Sequence, residues 1–412
     1  GMPDFGFASR LMTTLFEQIQ KGNVDFCQVV DEGGDAAAMI KSCFGENVGF
    51  RFASLDERSF MNAQGDILVS GSDLSAFDEF GGEYYGTTTA GDKVIGAGAD
   101  LSVFGNAFTQ TFERVYPTTA AAEGSVSDVA FSKRSGAVSA RPIARPRVFI
   151  PVFPGTNCEY DTAQQFERAG AIVETYVFNN LNVESIERSL KELSEKIASA
   201  QILMVVGGFS SGDEPDGSGK FIANVLSNPQ VNAAVQTLLA NDGLILGICN
   251  GFQALIKSGL LPYGDISSLN ADSPTLFRND INRHVSHMAK TKITSNKSPW
   301  LAGFTPGECH SIAMSHGEGK FVVSEEMAKA LFENGQVATQ YVDEDGDPTM
   351  NGEWNINGSS YAIEGITSPD GRILGKMGHS ERYEEGLFQN IDGNKEQNIF
   401  ANGVTFPVSQ KS

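Results

Sequence analysis

The sequence predicts an α/β protein: a doubly wound, mostly parallel sheet carrying a cysteine on a nucleophile elbow, preceded by a smaller α+β unit. Three observations predict it. From residue 147 onward, apolar strand-like runs alternate with helical stretches, the pattern of parallel strands joined by crossover helices. The run LILGICNGFQ, residues 244 to 253, sets Cys249 between Gly247 and Gly251 directly after one such strand, and so tight a turn accepts only small neighbours. Residues 117 to 145 are rich in Ala, Ser and Pro without an apolar period, and separate this region from what precedes it.

Taken in order, LMTTLFEQIQKGNV reads as an amphipathic helix, DEGGD as a turn and AAAMIKSCFG as a second helix. Strands follow near VGFRF and DILVSG, completing a first unit over residues 1 to 116. Gly1 before Met2 looks like a tag remnant. Residues 117 to 145 read as a linker. Its neighbourhood holds Lys133, Arg134, Arg141, Arg145 and Arg147, which read as a solvated connector touching an acidic neighbour, and no ligand is assigned to them. In the region from 146 to 412, RVFIPVF and IVETYV flank a helical stretch near 161 to 169. QILMVV and LILGI follow helical stretches near 183 to 198 and 230 to 240, so the elbow ends the fourth strand. Beyond residue 260 the strand-like runs TKIT, GQVATQYV, YAIEGI and RILGKM predict that the sheet gains mixed strands.

The elbow presents Cys249 above the end of a parallel sheet, and the N–H groups of the following helix are expected to favour its thiolate. A thiol nucleophile needs a base, and the chain offers His284, His287, His310, His316 and His379. His379 ends the run RILGKMGHSER, and Glu381 two residues on can share its side in an extended segment. The carboxylate would then fix the imidazole tautomer while the imidazole exchanges protons with Cys249. His316 and Glu318 in SHGEGKF form a second pair that spacing alone does not exclude. In VVGGFSSGD, residues 205 to 213, the amides of Gly208 or Phe209, with that of Asn250, are candidate oxyanion donors. DEDGD at 343 to 347 superficially matches a calcium loop but has Trp354 at the twelfth position, so a polar hairpin turn is expected. His284 and His287 lack the cysteines or carboxylates of a zinc site, and no metal is predicted.

Composition narrows the function classes. The net charge is −21, from 30 basic and 51 acidic residues, which argues against binding nucleic acid or an anionic membrane. Five cysteines, at 27, 43, 158, 249 and 309, form no CxxC pair, so a reducing, cytoplasmic setting fits and no disulfide framework is implied. No apolar run approaches the length of a membrane-spanning helix.

Six stretches occur in order: FPGTNCEYDT, VVGGFSSGDEPDGSGKF, GICNGFQ, SHGEGKF, NINGSSYAIEGITSPDGR and GHSER. Together they resemble the glutaminase domain of phosphoribosylformylglycinamidine synthase, a class I, triad-type glutamine amidotransferase of purine biosynthesis, from about Arg147 to the C-terminus. The resemblance implies a class I glutamine amidotransferase-like fold and a Cys249, His379, Glu381 triad, with the HGEG stretch in a loop near the site and the domain contact. It favours the oxyanion role for Gly208, Phe209 and Asn250, and suggests Gln253 and Ser210 as contacts to substrate glutamine. One departure is Ser380, where many members carry proline.

The first unit resembles the end of the synthetase region of the same enzyme, a partial aminoimidazole-ribonucleotide-synthetase-like C-terminal domain, although DEGG departs from the more usual glycine-histidine-glycine-glycine form. On this resemblance the chain is the C-terminal part of a large single-chain synthase, or a separately encoded product. It would carry the glutaminase half, which needs no cofactor and takes L-glutamine. ATP and Mg2+ would serve only the synthetase region, whose nucleotide-binding segments are expected upstream. Two competing readings are a noncatalytic binding or assembly module of the synthase, and a peptidase or stress-response protein of the related cysteine superfamily. Cys249, His379 and Glu381 argue against the first, and the glutamine-site stretches against the second.

Overall fold

The computed structural model describes residues 4–44, 48–62, 65–91, 93–95, 98–121, 124–135, 143–212, 217–266 and 269–406. Gly1, Met2, Gly45, Arg141 and Asp213 therefore lie outside the described residues. The chain divides into two compact units, Gly1–Thr118 and Thr119–Ser412.

The first unit contains α1 (Phe5–Gln20), β1 (Val24–Val29), α2 (Gly34–Ser42), β2 (Val48–Phe52), β3 (Ile67–Gly71), β4 (Gly86–Ala90), β5 (Lys93–Ile95), β6 (Ala99–Asp100) and α3 (Leu101–Glu113). The α1 helix is capped by Asp4, whose side chain accepts from the Phe7 amide. Strands β1 and β3 pair antiparallel, and a four-stranded sheet runs β4-β2-β5-β6. Ala36, Met39, Ile40, Phe50, Phe52, Val94 and Leu101 form its main core. Both α1 and α3 leave apolar side chains in solvent: Phe5, Met12, Phe16 and Ile19 on one, Val103, Phe108 and Phe112 on the other.

The second unit is built on β7 (Arg147–Val152), α4 (Glu159–Arg168), β8 (Ile172–Val177), α5 (Val183–Ser199), β9 (Ile202–Val205), α6 (Lys220–Leu226), α7 (Pro229–Ala240), β10 (Leu244–Ile248), α8 (Asn250–Ser258) and α9 (Leu260–Tyr263). It continues through β11 (Thr275–Phe277), β12 (Val285–Ile293), β13 (Cys309–His316), β14 (Lys320–Val322), α10 (Glu325–Glu333), β15 (Val337–Tyr341), β16 (Ile363–Thr367), β17 (Ile373–Lys376) and α11 (Ile399–Thr405). Nine strands form one sheet in the order β13-β12-β15-β16-β17-β10-β9-β7-β8. From β17 to β8 every neighbour pair is parallel; from β13 to β17 every pair is antiparallel. The parallel half carries continuous apolar runs because helices cover both its faces; β9 and β10 are buried at every residue. Trp300, Phe166 and Phe400 pack edge to face on one side, with ring centroids 6.3 and 5.0 Å apart. This is the predicted α/β architecture with mixed strands added after the elbow.

The segment read as a solvated connector is pinned to this unit where it is described. Phe131 bridges Ser295 in parallel, its amide donating to Thr294 O at 2.8 Å. Asp128 pairs with Lys292 at 2.7 Å, and Arg134 donates to Ala302 O. Composition reported the lack of periodicity correctly but could not show that an aperiodic strand-edge segment has partners. The DEDGD run is a hairpin turn in which Asp343 Oδ1 accepts from the amides of Asp345 and Asp347.

Candidate active site

The parallel strands β10 and β17 are neighbours, with Ile248 opposite Lys376, so the segments leaving their carboxyl ends emerge side by side. Cys249 leaves one and His379 the other. Ligands of open α/β sheets bind at this edge. Cys249 has φ 53 and ψ −108, a conformation L-residues rarely adopt, and it is the N-cap of α8. The crowding that enforces it is measurable. A Cβ on Gly251 would fall 1.9 Å from Val205 O, and one on Gly247 would fall 2.5 Å from Leu255 Cδ1, so the elbow helix lies directly on β9 and β10 only because both positions are glycine.

His379 and Glu381 are buried, and Nδ1 lies 2.6 Å from Glu381 Oε1. A carboxylate only accepts, so Nδ1 donates and Nε2 is left with its lone pair; Nε2 is buried without a hydrogen-bond partner. Burial pushes the Glu381 carboxyl up, but the charge and hydrogen bond of His379 outweigh it and hold it below the usual range. The Cys249 thiol faces Ser315 O at 3.6 Å. Gly207 lines the gap between these groups: a Cβ there would lie 2.9 Å from His379 Cε1, 3.0 Å from Cys158 Sγ and 3.5 Å from Cys249 Cβ. Cys158 Sγ lies 3.8 Å from His379 Nδ1 and accepts from Arg382 Nη2 at 3.7 Å. An imidazole oriented by a carboxylate beside an elbow thiol can run acyl transfer through a thioester.

Residues 145–407 match the CobB/CobQ-like glutamine amidotransferase domain. That span is well over half of the chain. The chain belongs to this glutamine amidotransferase family. Among its relatives, the phosphoribosylformylglycinamidine synthase subunit PurQ of Methanococcus maripaludis is 37% identical over 246 residues, 58% of this chain and 82% of that protein. The subunit of the same name from Sulfurimonas denitrificans is 33% identical over 253 residues, 60% of this chain and 96% of that protein. The chain is thus a PurQ-like amidotransferase. The structure of PurLQS from Thermotoga maritima aligns with a TM-score of 0.46 and 24% identity, over 64% of this chain and 99% of that one.

Several sequence expectations for this amidotransferase are revised by the geometry. Against the expectation that the helix terminus favours thiolate, burial, then the proximity of Cys158 and Glu381, push the Cys249 thiol up to about 12, opposed by Arg382 and the Asn250 amide. Burial outweighs the helix terminus. The Phe209 amide donates to Gly155 O at 2.8 Å, so it is committed within the loop. Gly208, with φ 137, makes neither hydrogen bond of the Thr156 bridge, which uses Phe209 N and Gly207 O. Gln253 is engaged at both ends, accepting from Asn250 Nδ2 at 2.9 Å and donating to Glu318 O. Its amide ties the elbow helix to the HGEG loop instead of standing free for substrate. The Ser210 amide likewise donates to Asn250 Oδ1 at 3.1 Å, which braces the elbow.

His316 does not pair with Glu318. Its Nδ1 meets Asn279 Oδ1 at 3.2 Å, and the Glu318 carboxylate accepts from the Ser218 amide. Burial, then the charges of His379 and His284, lower it to about 3, which favours the neutral imidazole. His284 and His287 share no ligand set; His284 Nε2 lies by Ser315 Oγ. Among the described residues the single group of three metal-competent side chains is Cys158, His379 and Glu381, and there Nδ1 is already given to Glu381. Cys158, Gly207 and Arg382 are site residues that motif reading quoted or passed over without a role. The signal for Arg382 was its place directly after the His-x-Glu run.

Proposed function

We propose that this chain hydrolyses L-glutamine through Cys249, His379 and Glu381, supplying ammonia for the ATP-dependent conversion of formylglycinamide ribonucleotide to formylglycinamidine ribonucleotide. The observation that carries it is the 2.6 Å His379 to Glu381 bond at the end of the strand adjacent to the elbow. His379 Nε2 takes the thiol proton as sulfur attacks the side-chain amide carbon of glutamine. The Gly208 and Asn250 amides hold the oxyanion, each donor of this kind being worth about 3 kcal/mol. The imidazolium returns its proton to the leaving nitrogen, so ammonia departs and a γ-glutamyl thioester remains. His379 then deprotonates water, which attacks the thioester; glutamate leaves and the thiol regains its proton.

The acceptor chemistry belongs to a synthetase region, where ATP and Mg2+ act; the glutaminase step uses neither. The first unit, on this reading, is a piece of that region joined to the glutaminase in one chain. Its support is the resemblance of residues 1–116 and the apolar faces that α1 and α3 leave in solvent, as expected of a domain missing neighbours. Glutamate release, measured with and without added synthetase region and checked by mass mapping of an electrophilic glutamine analogue, tests the proposal. Release that survives Cys249→Ala, or adducts on Cys158 or Cys309 in place of Cys249, would overturn it.

A further inference from the structure

The loop carrying His379 has Ser380 between the proposed base and Glu381, a residue that does not fix φ as proline would. It also follows Gly378, a residue with little conformational restriction of its own. Something else must hold the imaging of imidazole onto thiol in register. Directly beneath the loop lies an ion pair with both partners buried: Lys376 Nζ is 3.5 Å from Glu364 Oε1. Both groups reach past each other to the same residue. Glu364 Oε1 accepts from the Gly378 amide at 2.6 Å, and Lys376 Nζ donates to Gly378 O at 2.9 Å and to Ser380 Oγ at 3.2 Å. Ser380 Oγ passes its own proton to Gln397 Oε1 at 2.8 Å, and Thr339 Oγ1 donates to the second Glu364 oxygen. The backbone O of the same Lys376 accepts from the Cys249 amide at 2.9 Å. One residue therefore grips the nucleophile by its main chain and the base loop by its side chain.

A buried ion pair is a poor device for stability, since its desolvation cost offsets its attraction and a well-packed apolar pair of similar volume is often as good. Here it supplies direction. The two charges clamp Gly378 at its N–H and its C=O, and the clamp closes so tightly that a Cβ on Gly378 would lie 2.9 Å from Lys376 Nζ and 2.8 Å from Ile312 Cγ2. Resting on the triad reading above, we propose that Lys376 and Glu364 are positioning residues: through Gly378 and Ser380 they set the His379 imidazole against Cys249, the office that a proline-stiffened loop would perform.

The test is the double variant Lys376→Met with Glu364→Leu, which removes both charges at once and leaves neither orphaned. We expect a lowered melting temperature, because the Gly378 N–H and C=O and Thr339 Oγ1 lose their partners, and a kcat for glutamine hydrolysis lowered about 10- to 100-fold, with KM moved far less. Labelling of Cys249 by the electrophilic glutamine analogue should slow in parallel. If the double variant melts lower but keeps kcat and labelling rate, the pair is merely structural and the inference fails. Should the double variant not fold, Ser380→Ala, which removes only the hydroxyl between Lys376 and Gln397, must still lower kcat at constant KM; an unchanged kcat overturns the inference. Failure of the wild type to label Cys249 would instead indict the triad itself.

Discussion

Gly207→Ala places one methyl group in the gap between nucleophile and base, and the structure sets the size of its effect. The added carbon would stand 2.9 Å from His379 Cε1 and 3.0 Å from Cys158 Sγ, where carbon contacts normally settle at about 3.5–4.0 Å. Neighbours must therefore give by roughly 0.6–1 Å. The imidazole cannot yield freely, because Nδ1 is held at 2.6 Å by Glu381. Cys158 is held as well, between Asn157 Oδ1 at 3.2 Å and Arg382. Overpacking of this kind costs about 1–3 kcal/mol of stability, and a misplacement of about 1 Å at reacting groups costs about 100-fold in rate. The expected outcome is a folded protein whose kcat for glutamate release falls about 10- to 100-fold, with a smaller change in KM. Steady-state glutamate release, the rate of Cys249 acylation by the electrophilic analogue and a thermal melt measure the three quantities separately. A kcat within about twofold of wild type in a protein of native melting behaviour would refute the packing of His379 and Cys249 about Gly207.

His379→Ala should abolish thioester turnover and Glu381→Ala weaken it less, since one removes the proposed proton carrier and the other its orienter, whereas His316→Ala should spare far more kcat; the reverse order in glutamate release would move the base from His379 to His316. His316, lowered from 6.5 to about 3, favours the fold above pH 6.5, and this contribution is lost as pH falls toward 3. His284, His287 and His310 shift the same way, so chemical denaturation between pH 6 and pH 4.5 should show a steep loss, and His316→Gln should remove about one proton, about 1.4 kcal/mol per pH unit, from that slope. An unchanged slope would mean that His316 is not buried neutral. Supplied with ATP, formylglycinamide ribonucleotide and free ammonia, the purified chain should form no formylglycinamidine ribonucleotide, and product detected by chromatography would show that the first unit carries a synthetase site.

The inner strands of the parallel half were legible because they are buried and read as nearly unbroken apolar runs: RVFIPV, ILMV and LILGI stand where the runs placed them. β13 was not legible. Its sequence CHSIAMSH alternates buried and half-buried residues, with His310 and His316 on the buried side, so the inward set lacks the apolar signature that marks a strand. Helix α10 had a readable start in Ser324, whose hydroxyl accepts from the Met327 amide, and went unassigned. The juxtaposition of Cys249 with His379 and Glu381 was legible because these residues sit at element ends that glycine marks. Lys376 and Glu364 were not, since charges within strands read as solvent-facing, and only the sheet order reveals that β16 and β17 pair in its interior. The engagement of Phe209 and Gln253 was equally hidden: a motif names a residue but not which of its hydrogen-bonding groups are already taken.

The buried thiol decides how the proton must move. Burial, more than any neighbouring charge, holds this thiol up, to about 12, which favours its protonated form. The thiol is turned toward Ser315 O while His379 Nε2 keeps its lone pair. On the proposed mechanism, attack on glutamine couples proton transfer to carbon–sulfur bond formation, so that the negative charge passes to the amide oxygen without residing on sulfur. In that sequence the imidazolium is the charged species the site has to hold, and Glu381, kept ionised in spite of its burial, is placed to hold it. The burial that suppresses the free thiolate also strengthens this ion pair. The same low-dielectric setting thus disfavours the nucleophile at rest and favours the charge-separated state through which it reacts.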